Sequence, residues 1–143
     1  MWRGELITAE GQLRTLNEVI SVYGSLGVHV QYEVRTVPLH SLIATQNALD
    51  REKLEVVLER VRQDELDVMF IAEEHFVGEE YRRYLVDGHT RVRARIELGQ
   101  RSAEAYVIWS PAGDFPSRLV DTAAAYGNVL VKDLPIIETP EED

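Results

Sequence analysis

The chain reads as one α/β domain of the α+β kind, a small mixed sheet flanked by helices. Three observations predict this class. Stretches of strand-like alternation and of helical spacing follow one another along the sequence, which suits a sheet with helices packed on it. Within residues 82–99 the hydrophobic period changes from about two to about 3.6 in a few positions, so a strand feeds directly into a helix. Finally, 143 residues with 45% hydrophobic content can bury one sizeable core.

Residues 8–26 are expected to form an amphipathic helix, with Leu13, Leu16, Ile20 and Tyr23 as its apolar stripe and Gly27 as its stop. Alternation over 28–35 predicts a strand with one wet face that delivers the chain to Val37 and Pro38. Asp50 is placed to cap a second helix over 50–63. There Glu52 and Glu55 suit the positive end of the dipole, and Leu54, Val57, Leu58 and Val61 share one side. Residues 68–72 read as a buried strand, and the acid-rich stretch 73–80 as a loop. Residues 82–86, aromatic and β-branched, form the next strand, and 103–109 alternates as another until 110–114 breaks it. Pro116 suits the first turn of a helix that runs to 126.

The run 128–137 is expected as a last strand or an extended arm, which if exposed would be a sticky edge or a homodimer contact. By this reading the chain divides into an N-terminal helix over 1–27, a main domain over 28–137 and an acidic, disordered tail over 138–143.

The strand-to-helix junction holds the most chemical information. Gly88 lets the backbone turn tightly, Asp87 or Thr90 can cap the new helix, Val92 and Ile96 follow at helical spacing, and Gly99 closes it. Such a helix start aims free N–H groups and the positive end of a dipole at one spot, with Arg91, Arg93 and Arg95 directly after. The pattern predicts an anion pocket.

The phrase Asp87-Gly88-His89-Thr90-Arg91-x-Arg93-Ala94-x-x-x-Leu98-Gly99 resembles the signature of the ParB/sulfiredoxin superfamily, in which a Gly-x-x-Arg turn opens a helix and binds nucleotide phosphates. The upstream stretch from Val37 through Thr45, Gln46 and Asn47 is similar to the strand-and-turn element that precedes a helix in that family. The resemblance implies that Thr45, Gln46, Gly88, His89, Thr90, Arg91 and Arg95 hold ATP, ADP or CTP with Mg²⁺. If the nucleotide is turned over, it further implies Asp87 and His89 as the groups to act, with Asp50 the alternative acid to orient an acceptor.

Departures from the family pattern narrow the chemistry. The chain has no cysteine, so the sulfiredoxin reaction is excluded. A partition protein's later Glu-Asn-x-x-Arg motif and helix-turn-helix are not recognisable here. Free-serine kinases of the fold share an Asp-Gly-His-x-Arg turn but carry a catalytic acid where Thr45, Gln46 and Asn47 stand.

Other signals mostly exclude. With 15 basic against 25 acidic residues, net −10, the general surface is unsuited to nucleic acid, whose affinity rests on phosphate neutralisation. Histidines 29, 40, 75 and 89 are too scattered for a helix-borne zinc pair, and each is read as a surface residue. Neither Walker-type nor dinucleotide-type glycine spacing occurs, and no serine sits in a nucleophile elbow. No apolar run reaches the ~18 residues of a membrane span, and the lack of cysteine fits a reducing compartment, so a cytoplasmic location is expected.

Three functions are therefore expected in descending order. The first is a ParB-like nucleotide-binding domain that holds the phosphates at the strand-turn-helix and hydrolyses or transfers them. The second is a non-catalytic regulatory or protein-interaction module, and the third a DNA-processing domain of the kind labelled ParB-like nuclease.

Overall fold

The computed structural model describes residues 4, 6–65 and 68–138. Along them run α1 (Ala9–Ser25), β1 (Gln31–Pro38), β2 (Leu49–Asp50), α2 (Arg51–Arg62), β3 (Phe70–Val77) and β4 (Glu80–Asp87). α3 (His89–Glu97), β5 (Ser102–Trp109), α4 (Arg118–Ala125), a 3-10 turn (Val131–Asp133) and β6 (Ile136–Ile137) complete the order. Residues 1–3, 5 and most of the acidic tail, 139–143, lie outside the described residues.

The main sheet has four strands in the order β1-β5-β3-β4. β1 pairs with β5 and β3 with β4 antiparallel, whereas β3 and β5 are parallel, so the sheet is mixed as expected. β2 and β6 form a short parallel pair apart from it.

Alternation on β3 shows how the layers are built. Phe70 and Ala72 point to the face where Val92 of α3, Leu39, Leu85 and Val107 are buried. Ile71 points to the other, where Leu16 and Tyr23 of α1 meet Ile108 and Phe115. α2 joins α3 through Leu54, Val57 and Ala94. Each fully buried side chain of this size contributes about 1.5–3 kcal/mol, so α1 is fastened to the sheet by its own apolar face. Its stripe is shifted from the expected one: Leu13 is 40% exposed, whereas Gln12 is 1% exposed.

Two further expectations are corrected. The stretch 73–80 is no loop, because β3 continues to Val77 and the chain reverses only at Gly78 and Glu79, both at positive φ. Nor does 128–137 form an exposed arm. Val131 and Leu134 are buried in the core, and Leu49 donates its N–H to Pro135 O at 2.9 Å beside the β2–β6 pair.

Continuing β3 carries two polar residues into the interior on the α1 face. His75 and Glu73 are both completely buried. His75 shares Nε2 with Glu73 Oε1 at 2.8 Å and Nδ1 with Asp114 Oδ1 at 2.9 Å. Both ring nitrogens face carboxylate oxygens, an arrangement that favours the doubly protonated ring. Burial opposes that charge, but the hydrogen bonds to Glu73 and Asp114 and their negative charges outweigh it, and the pKa of His75 is raised.

Tyr23 of α1 donates to Glu73 Oε2 at 2.7 Å, and Ser117, which caps α4, donates to Glu73 Oε1 at 2.7 Å. One buried carboxylate thereby ties two helices to the sheet. His75 and His89 are buried, contrary to the surface placement read from their spacing.

Candidate functional site

β4 ends at Asp87, and the backbone can enter α3 only by passing through φ +104 at Gly88. A side chain there would be strained in backbone and in space, since a Cβ would stand 2.8 Å from both Phe70 Cβ and Arg91 Nη2. Gly88 itself is the N-cap of α3, and among the described residues no side-chain cap bonds to the start of the helix. Neither Asp87 nor Thr90 caps it. Among the described residues the amino end of α3 thus has no side-chain cap to take up its N–H donors and partial positive charge.

Asp87 is used elsewhere. Its Oδ2 accepts from Arg91 Nη2 at 3.0 Å and from Gln12 Nε2 of α1 at 3.2 Å. Arg91 Nη2 and Gln12 Nε2 also donate to Met69 O, which locks α1, β4 and α3 around one carboxylate. Arg91 is 9% exposed, and its buried Nε has no hydrogen-bond partner among the described residues.

His89, on the first turn of α3, crosses to the turn after β1. Thr45 donates its backbone N–H to His89 Nε2 at 3.0 Å, which leaves the ring proton on Nδ1. The Thr45 hydroxyl is spent on Leu85 O at 2.6 Å. Burial lowers the pKa of His89 to about 4, against the pull of Asp87 and with Lys53 and Arg91 adding to the fall. The ring is neutral at ordinary pH. Gln46 folds back to donate to Ala48 O at 2.7 Å.

Between these turns lies a cavity of about 370 Å³. One part of its wall is polar, made of Thr45, Gln46, Lys53 and the continuous run Asp87 to Arg91. Leu6, Ile7, Val57, Val86 and Leu119 make the rest apolar. The Asp87-Gly88-His89-Thr90-Arg91 turn and the Thr45-Gln46 turn therefore meet at this cavity.

Arg95 stands apart, bonded to Gln100 Oε1 at 3.1 Å. Arg93 holds the 3-10 turn by donating to Val131 O and Leu134 O. Lys53 on α2 is a cation that sequence reading missed, since an ordinary helix-surface lysine carries no signal until α2 packs on α3. Leu6, Ile7 and Leu119, from segments outside the motif, were equally invisible.

No protein-family model matches the chain. Over 130 residues, 91% of its length, it is 28% identical to the uncharacterized protein MJ0188 of Methanocaldococcus jannaschii, and it covers 48% of that protein. The chain thus spans about half the length of this curated relative. Protein Atu1540 of Agrobacterium tumefaciens is a structural neighbour with TM-score 0.48 and 17% identity, over 69% of this chain and 50% of that one. A second neighbour is a Pnob8-like ParB-N domain, with TM-score 0.45 and 20% identity over 67% of this chain and 36% of that one. One neighbour, then, is a ParB domain. Among the described residues, no helix is long and apolar enough to cross a membrane.

Proposed function

We propose that the cavity at the amino end of α3 binds the phosphate groups of a nucleotide, ATP, ADP or CTP accompanied by Mg²⁺. The observation that carries this reading is the uncapped helix start opening into a cavity of about 370 Å³, a volume within the range of small-molecule sites. Backbone N–H groups after Gly88 would meet phosphate oxygens, and Lys53 would supply the counter-charge. The apolar wall would take a less polar part of the ligand. Among the described residues, no group of three or more His, Asp or Glu side chains is arranged to hold a metal, so Mg²⁺ would arrive on the nucleotide's own oxygens.

Binding without turnover has an observation in its favour. Asp87 is paired with Arg91 and Gln12, and His89 Nε2 already accepts from Thr45, so both candidate catalytic groups are committed to bonds within the fold. A regulatory module that senses nucleotide fits this better than a hydrolase or phosphotransferase does. Calorimetric titration with ATP, ADP and CTP in Mg²⁺, with assay of the same samples for released phosphate, tests both. We expect binding with no product; product formation would shift the reading to an enzyme, and the absence of binding to all three would end it.

Lys53→Ala supplies a second check. Loss of one charge-assisted contact should weaken affinity by about tenfold or more and flatten its salt dependence, with the melting temperature little changed. Parent affinity in this variant would remove Lys53 from the site.

A further inference from the structure

The two outer strands of the sheet are treated differently. β4 is covered: Ile43 donates its N–H to Arg83 O at 3.0 Å and accepts from Leu85 N at 2.8 Å, and Ile43 packs with Tyr84, Ala123 and Leu130. β1, eight residues long, has no strand on its outer side among the described residues, and Tyr32 and Val34 on it are 44% and 51% exposed.

Register fixes which groups β1 turns outward. Leu39 donates to Arg101 O at 2.9 Å, in line with the β1–β5 register that pairs Pro38 with Ser102 and Val37 with Ala103. Antiparallel pairing alternates, so the odd-numbered residues of β1 bond to β5. The N–H and C=O groups of Tyr32, Val34 and Thr36 therefore point away from the sheet. Among the described residues β5 is the strand beside β1, and it takes the odd-numbered groups, leaving these three without a backbone partner.

We infer that β1 pairs with β1 of a second copy, antiparallel about a two-fold axis at Val34, to join two four-stranded sheets into one. In that register Val34 exchanges both hydrogen bonds with Val34 of the copy, and Tyr32 does so with Thr36. Every outward group of the three is satisfied. The intervening close pairs set Glu33 against Arg35 of the copy twice over, a favourable cross-strand charge pair. An axis at Glu33 or at Arg35 would instead oppose like charges.

Within its own chain Arg35 donates from Nη1 to both Glu74 carboxylate oxygens at 3.1 Å and from Nε to Glu33 Oε1, so the pairs across the axis would extend a charge cluster that each copy already holds. Chains of net −10 repel, but the segment Gln31–Pro38 carries one acid and one base, so this edge is a neutral line of approach. Pro38, lacking an N–H, ends the ladder where β1 ends.

The test is light scattering from low to high micromolar concentration. The mass should rise from 16.3 kDa to about twice that value. Val34→Pro removes one outward N–H and no bond to β5, so it should fold and stay at the single-chain mass. Because the chain has no cysteine, Val34→Cys should form a disulfide dimer under mild oxidation, whereas Thr36→Cys, far from its own copy, should not. A parent protein of single mass throughout, unchanged association in Val34→Pro, or equal cross-linking through Thr36→Cys would each overturn the pairing.

Discussion

Gly88→Ala is expected to abolish ligand binding at the α3 end and to destabilise the fold by about 2–5 kcal/mol, the sum of left-handed backbone strain and overpacking. The added Cβ would meet Phe70 Cβ and Arg91 Nη2 at 2.8 Å. Phe70 cannot retreat, because its Cβ belongs to a residue 1% exposed in the main core. Arg91 cannot swing aside freely, because that same nitrogen holds Asp87 and Met69 O. The turn must therefore shift, and the N–H groups that follow Gly88 shift with it.

Arg91→Ala separates these effects. It leaves the turn's backbone intact while Gln12 still holds Asp87, so binding should weaken with less loss of stability than in Gly88→Ala. Chemical denaturation and nucleotide titration of both variants measure the difference. A Gly88→Ala protein with parent stability and parent affinity would remove this turn from the proposed site.

The turn was legible because its signal is local. A change of period, a glycine and a helix start within residues 82–99 are fixed by neighbours in sequence, and so were elements with a clean period, α2 at helical spacing and β5 by alternation. What was not legible depends on distant partners. Glu73-Glu74-His75 reads as a polar loop until Tyr23, Asp114 and Ser117, far off in sequence, satisfy its buried members. Gln12 breaks the apolar stripe of α1 for the same reason, since its partners are Met69 O and Asp87. Arg91 and Arg95 look alike in sequence as members of one basic cluster. Packing sends the first to the cavity and the second to Gln100.

Those buried histidines also predict that stability falls on both sides of a pH optimum. His89 is held neutral, its folded pKa near 4 against 6.5 for an ordinary histidine. Its contribution is present above pH ~6.5 and is lost as pH falls toward 4, because the unfolded chain takes up a proton that the folded chain refuses. A shift of that size is worth on the order of 3 kcal/mol.

His75 behaves in the opposite sense. With its folded pKa raised, its contribution is complete below about 6.5 and is lost as pH climbs through the folded value, when the ring keeps only one of its two carboxylate bonds. Urea denaturation across the pH range should show an acid limb that His89→Gln flattens and an alkaline limb that His75→Gln flattens. In the folded parent the His89 ring should show no NMR titration near neutrality. Protonating it would set a second donor against the Thr45 N–H and pull apart the two turns that frame the cavity, so the acid limb should coincide with loss of the Thr45 contact. An acid limb unchanged in His89→Gln would place the acid-sensitive group elsewhere.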